Sequence, residues 1–260
     1  MLKRIRNRSV FTLLICLLSV IAISCAHKSG HLKDNEGQST RRTTMSDRSD
    51  RNTTRASSRE SRIVNKRSSK KLEGHQIFDR YGSAVFMVFT SDGTNTYQGS
   101  GFFINNSGLA VSNYHVFQGT GIGLEVIKLL GSDVAYNVTN VLKKSSDEDF
   151  ILFQVDCENT NYIPIAAEKP KIGEKVYAIG SPRGLENTFS SGEVSQWRAD
   201  NLMQINALID HGSSGGALIN EYGEVVGITS GSFADGSQAN LNYAWSIDVV
   251  KKYISQGRSR

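Results

Sequence analysis

Beyond His75 the apolar residues of this chain come in short runs, each about the length of one β-strand and each closed off by Gly, Asn, Asp or Ser. Such runs are too short to bury the face of a long helix, so they point to an all-β domain. Candidate strands are Ala84 to Thr90, Thr96 to Ile104, Leu109 to Ser112, Leu124 to Leu130, Val134 to Leu142 and Phe150 to Val155. A second set comprises Lys175 to Ile179, Phe189 to Trp197, Leu202 to Ala207, Ala217 to Ile219, Val225 to Ser230 and Asn242 to Ile247. Two groups of six joined near Asn159 to Lys171 predict two six-stranded antiparallel β-barrels, over about residues 77–160 and 165–260. Only Asp248 to Gln256 reads as a helix, with Asp248 as its cap and Val249, Val250, Tyr253 and Ile254 able to dock on a barrel.

The preceding third of the chain has a different physics. Lys3, Arg4, Arg6 and Arg8 precede an apolar run of 14 residues, Val10 to Ile23, that ends in small residues before Cys25. Residues 1–24 therefore read as a signal peptide, since the run falls short of the roughly 20 residues needed to span a bilayer. Ala22-Ile23-Ser24-Cys25 resembles a lipoprotein signal, which makes Cys25 the expected lipid-bearing residue and the envelope membrane an expected partner. Residues 25–76 hold scarcely an apolar cluster and read as a disordered basic tether. Residues 26–75 carry 13 Lys and Arg against 6 Asp and Glu, whereas residues 76–260 carry 13 against 19. The basic character thus belongs to the leader and tether, and it reads as a solvated spacer rather than a nucleic-acid surface. Cys157 is the one cysteine beyond the signal region, so no intrachain disulfide is expected there, and the fold must rest on its core.

Three residues at strand boundaries carry the chemistry. His115 follows the apolar strand Leu109 to Ser112, and Asp149 stands where the polar turn Ser145 to Glu148 gives way to Phe150-Ile151-Leu152. A carboxylate beside a core needs a specific donor, which an imidazole N–H would supply. Ser214 lies in Gly212-Ser213-Ser214-Gly215-Gly216-Ala217-Leu218, a glycine-rich turn leading into a strand. A serine hydroxyl is a poor nucleophile until an imidazole takes its proton and a carboxylate orients that imidazole. The order His, Asp, Ser, with spacings of 34 and 65 residues, puts the first two on one barrel and the third on the other. The glycines allow the amides of Gly212 and Ser214 to converge on an oxyanion.

At these residues the chain resembles the HtrA/Deg family of trypsin-like serine proteases. Ser100-Gly101-Phe102-Phe103-Ile104, Asp149-Phe150-Ile151-Leu152, Ile179-Gly180-Ser181-Pro182-Arg183-Gly184-Leu185 and Thr188 to Ser195 carry the likeness, which covers nearly all of residues 78–255. The resemblance implies a chymotrypsin-type fold, a His115, Asp149 and Ser214 triad, Gly212 as oxyanion donor and polypeptide substrates in the bacterial envelope. It also implies a homo-oligomer, often a trimer in the family. Tyr114 replaces a small residue and Ser213 an asparagine, and no PDZ domain is expected after the terminal helix. Arg62-Ile63-Val64 looks like the activation site of digestive proteases, but Ser213 stands where their carboxylate partner would be.

Leu208, Ile209, Ser230 and Ser232 are the expected lining of the substrate pocket. By the family alignment Leu208 takes the place of the acidic residue of trypsin, which favours an apolar substrate side chain. No cofactor is implied, and the five histidines show no paired metal-ligand spacing. The competing reading is a non-catalytic, chaperone-like or peptide-binding protein on the same fold.

Overall fold

The computed structural model describes residues 70–121, 123–181, 187–232 and 241–254. The expected signal peptide, Cys25, Arg62-Ile63-Val64 and most of the tether lie outside the described residues.

The first half begins with a helix, α1 (Gly74–Tyr81), which enters a short 3-10 turn. Seven strands follow: β1 (Val85–Ser91), β2 (Thr96–Phe103), β3 (Leu109–Ser112), β4 (Val126–Leu129), β5 (Ala135–Tyr136), β6 (Val138–Ser145) and β7 (Phe150–Val155). One turn of helix, α2 (Tyr114–Phe117), follows β3. The second half contains β8 (Lys175–Gly180), β9 (Thr188–Ala199), β10 (Leu202–Ile205), β11 (Ala217–Asn220), β12 (Val225–Ser232) and β13 (Asn242–Ser246), then helix α3 (Asp248–Ile254).

All strand-to-strand pairings are antiparallel. The second half closes into the expected six-stranded barrel, β10-β13-β12-β11-β8-β9. The first half is a sheet of seven strands in the order β5-β4-β1-β2-β3-β7-β6. The seventh arises because the run expected over Val134 to Leu142 is broken. The carboxylate of Glu125, 1% exposed, accepts the Val138 N–H at 2.7 Å and the Gly123 N–H at 3.0 Å, diverting the backbone from its ladder.

Three apolar clusters hold this together. Phe86, Phe103, Ile127, Ile151 and Phe153 fill the first half, and Val176, Val194, Met203, Ile205 and Leu218 fill the second. The third is shared: Val85, Phe102, Val111, Phe150 and Leu152 of the first half pack with Tyr177, Ile179, Ala217 and Ile228 of the second. Hence the two halves are fixed against each other by buried apolar surface, the dominant favourable term in folding, without a covalent staple.

Helix α1 begins inside the stretch expected to be tether. The Glu73 N–H is taken by Gln76 Oε1 at 3.0 Å, while the Leu72 N–H bonds the Glu221 carbonyl at 2.7 Å and Lys71 pairs with Glu221 at 2.5 Å. Ile77 is fully buried and Tyr81 nearly so, both in the shared core, and Phe78 meets Phe189 edge-on at 5.9 Å. Folded structure therefore starts earlier than composition implied. Ile77→Ala is expected to lower unfolding stability by about 2–5 kcal/mol. A urea melt within experimental error of the parent would show that α1 is not part of the cooperative core.

Candidate active site

Strand β3 delivers its last residues to a tight corner. Asn113 is fully buried just before α2, and its side-chain amide donates to the Asp149 carbonyl at 2.8 Å. His115, two residues on, leaves its side chain 44% exposed. Asp149 closes the β6–β7 hairpin at φ +42°, the left-handed region that a residue with a Cβ seldom occupies. Asparagine and aspartate are the residues that enter it most readily.

The Asp149 carboxylate, 16% exposed, is thereby turned onto three donors. Its Oδ1 accepts the His115 backbone N–H at 3.0 Å. Its Oδ2 lies 2.8 Å from His115 Nδ1 and accepts the Ser230 hydroxyl at 2.8 Å. The carboxylate thus favours the tautomer with hydrogen on Nδ1 and leaves the Nε2 lone pair free to accept a proton. These three donors fix the orientation of the Asp149 carboxylate against the imidazole.

The Ser214 turn is held through its carbonyls. Ser100 N–H donates to the Ser214 carbonyl at 2.8 Å, and Ser100 Oγ donates to that of Gly212 at 2.8 Å. The Ser213 carbonyl receives the Gly216 N–H at 3.0 Å and the Thr229 hydroxyl at 2.7 Å. Two glycines are obligatory here. Gly212 has φ +95° and Gly215 φ +87°, and a Cβ on Gly215 would stand 2.2 Å from the Ser100 carbonyl oxygen. With every one of these carbonyls engaged, the amides of Gly212 and Ser214 donate to no acceptor among the described residues. They are the two groups expected to face an oxyanion.

Ser214 and His115 are not hydrogen-bonded to each other in this conformation, but the segments that carry them adjoin, since a Cβ on Gly215 would stand 3.1 Å from the Asn113 backbone nitrogen. The hydroxyl of Ser214 lies 3.5 Å from where a Cβ on Gly231 would stand, and the neighbouring Ser230 is bound to Asp149. Such contacts commonly tighten only when substrate arrives.

The four residues expected to line a pocket are dispersed. Leu208 is 63% exposed, with its carbonyl taken by the Ser190 hydroxyl at 2.8 Å. Ile209 is buried in the second-half core, so it is a packing residue rather than a pocket wall. Ser230 serves Asp149, and the Ser232 backbone pairs with Asn242 while its side chain lies outside the described residues. Sequence reasoning missed Asn113 and Ser100, although both sit beside motifs it had singled out. Cys157 packs on the first-half core, and burial, with the nearby Asp156 charge, pushes its thiol up to about 11, so it is un-ionised at neutral pH. Among the described residues no group of three or more His, Cys, Asp or Glu could hold a metal ion.

The description "trypsin-like peptidase domain" matches residues 99–228, half of the chain, and spans all three of His115, Asp149 and Ser214. The chain belongs to the trypsin-like peptidase family. Within that family it is 33% identical over 175 residues to a "probable periplasmic serine endoprotease DegP-like" of Rhizobium meliloti, covering 62% of this chain and 34% of the relative. The "periplasmic serine endoprotease DegP" of Escherichia coli is 33% identical over 170 residues, covering 61% and 35%. The chain therefore spans about a third of the length of these relatives. The crystal structure of the serine endoprotease from Yersinia pestis superposes with a TM-score of 0.63 at 26% identity, covering 72% of this chain and 67% of that one. The family model thus shows the trypsin-like family, and the similarity to DegP-like proteases agrees with the HtrA/Deg resemblance.

For a trypsin-like site the Asp149 contact has a measurable consequence. Asp149→Asn is expected to lower kcat on a peptide ester about ten-thousandfold, because the amide favours the wrong imidazole tautomer. Steady-state kinetics checks it, and a loss under tenfold would remove Asp149 from the site.

Proposed function

We propose that the chain is a serine endopeptidase that hydrolyses peptide bonds through an acyl-enzyme, with Ser214 as nucleophile, His115 as general base and Asp149 as its orienting carboxylate. The observation that carries this reading is the grip of one Asp149 carboxylate on both the backbone N–H and the Nδ1 of His115, at 3.0 and 2.8 Å. A histidine held for structure alone would not need its free nitrogen kept available beside a serine turn.

The reaction follows from the groups present. Ser214 Oγ attacks the scissile carbonyl as His115 Nε2 takes its proton. The resulting oxyanion is received by the amides of Gly212 and Ser214, a donor pair of which each member is typically worth about 2.7–4 kcal/mol. His115 then protonates the leaving amine, and a water molecule deprotonated by the same ring releases the acyl group.

Exported or misfolded polypeptides of the bacterial envelope are the proposed substrates, and the similarity to periplasmic endoproteases supports that placement. Cys25 is proposed as a lipid anchor, on the lipoprotein-like signal in the sequence. Cys25→Ser should move the protein from the membrane to the soluble fraction on cell fractionation, and retention in the membrane would end that part of the proposal.

A fluorophosphonate probe is expected to label Ser214. Ser214→Ala should abolish both labelling and casein cleavage, and a variant that cuts casein as fast as the parent would refute the assignment. A folded protein that neither labels nor cleaves would favour the peptide-binding reading.

A further inference from the structure

A cavity of about 450 Å³ lies against the helix that carries His115. Its walls include Tyr114 and Phe117 from α2 and Val141, Leu142, Lys143 and Lys144 from β6. Two facts place it beside the site described above. Tyr114 is the chain neighbour of His115, with Cα atoms about 3.8 Å apart. On the other wall, Lys144 and Lys143 pair across the hairpin with Ile151 and Leu152, within three residues of Asp149. The Lys144 ammonium stands 5.7 Å from the centre of the Tyr114 ring, and this contact bridges the segments that bear the base and the acid.

The charge at this rim is unusual for the molecule. Residues 76–260 carry 13 basic against 19 acidic side chains. Lys252 and Lys251 are neutralised by Glu148 and Asp248. Among the described residues Lys143 and Lys144 meet no carboxylate. Lys144 lies over Tyr114 at the cavity, whereas Lys143, its neighbour on the strand, turns the other way and lies 5.1 Å over the Tyr253 ring of α3; such contacts locate an ammonium without cancelling its charge. The acids of the adjoining turn do not serve either: Asp149 is taken by His115, Glu148 by Lys252 and Asn201, and Asp147, which accepts the Ser146 hydroxyl at 3.4 Å, forms no ion pair among the described residues. Beside the Lys144 ammonium, Val141, Leu142 and Phe117 supply an apolar surface suited to the methylene stem of a longer side chain.

From this we infer that the cavity is a specificity subsite that receives an acidic side chain, Glu in preference to Gln, from the polypeptide being cleaved. The inference rests on the endopeptidase reading, because an extended chain advances about 3.3 Å per residue and a segment clamped between Ser214 and His115 passes within side-chain reach of Tyr114. Lys144 is then a specificity-determining residue that leaves the chemistry to the groups already named.

The test uses the full chain and fluorogenic peptides with one Glu, or the isosteric Gln, moved through each position flanking a single Val. At one position kcat/KM should favour Glu about two- to fivefold, the range that one partly exposed charge contact supplies. That preference should shrink as salt shortens the screening length from about 10 Å at 0.1 M to about 3 Å at 1 M. Lys144→Gln should bring the ratio to parity, while Lys143→Gln across the strand and Lys175→Gln on the second half should keep it. A Glu preference absent at every position, or unchanged in Lys144→Gln, overturns the subsite. Fluorophosphonate labelling of Ser214 in the same preparations tells this failure from failure of the peptidase reading. Should labelling itself fail, fluorescence anisotropy of the same peptides on the Ser214→Ala protein decides: equal affinity for Glu and Gln peptides overturns the inference, and tighter Glu binding that Lys144→Gln loses sustains it.

Discussion

One carboxylate organises the centre of this molecule. Asp149 sits at a backbone angle that costs free energy, on a hairpin turn of the first half, and it is stable there because three donors converge on it. Two of those donors belong to the corner after β3, and the third, Ser230, comes from β12 of the other half. An ion shielded from water needs such partners, and removal of any one would leave the carboxylate short of a donor. The demand of that charge therefore joins pieces of chain 34 and 81 residues distant from Asp149.

The apolar cores make such a demand achievable. Each half has its own filling, while the shared cluster of Phe102, Phe150, Tyr177 and Ile179 sets the distance and tilt between them. Helices α1 and α3 both contribute to that cluster. Tyr253 of α3 also approaches Phe150 at 5.9 Å, and Lys252 binds Glu148, so the residues on either side of Asp149 are held from the opposite half. The hairpin that carries the acid is supported along its whole tip.

Much of this was legible in the sequence, for reasons that differ from residue to residue. Strands β3 and β7 fall where their apolar runs begin and end, because both are buried on a face and closed by polar turns. Other edges moved. Leu124 is 70% exposed rather than the start of a strand, and the carboxylate of Glu125 broke the next one. Helix α1 was hidden because its apolar stripe is only Ile77, Phe78 and Tyr81 at the end of a polar run, and its cover comes from Tyr177 and Phe189, a hundred residues away. His115, Asp149 and Ser214 stood out by their positions at strand boundaries. The task of Ser230 did not, since serines are common and only the register of β12, with its irregularity between Thr229 and Gly231, aims that hydroxyl at Asp149. Leu208 and Ile209 illustrate the same limit: neighbours on an extended chain point opposite ways, and the fold alone decides which becomes core.

The seat of Ser214 has one more implication. Its backbone carbonyl and that of Gly212 are bonded to Ser100, a residue of β2, so the loop that bears the hydroxyl is completed by a strand made more than a hundred residues earlier. Neither half contains a finished centre. That seat can close only after β2 of the first half and the glycine turn before β11 of the second have both been made and docked, so order at this corner is a product of the finished fold and of neither half alone.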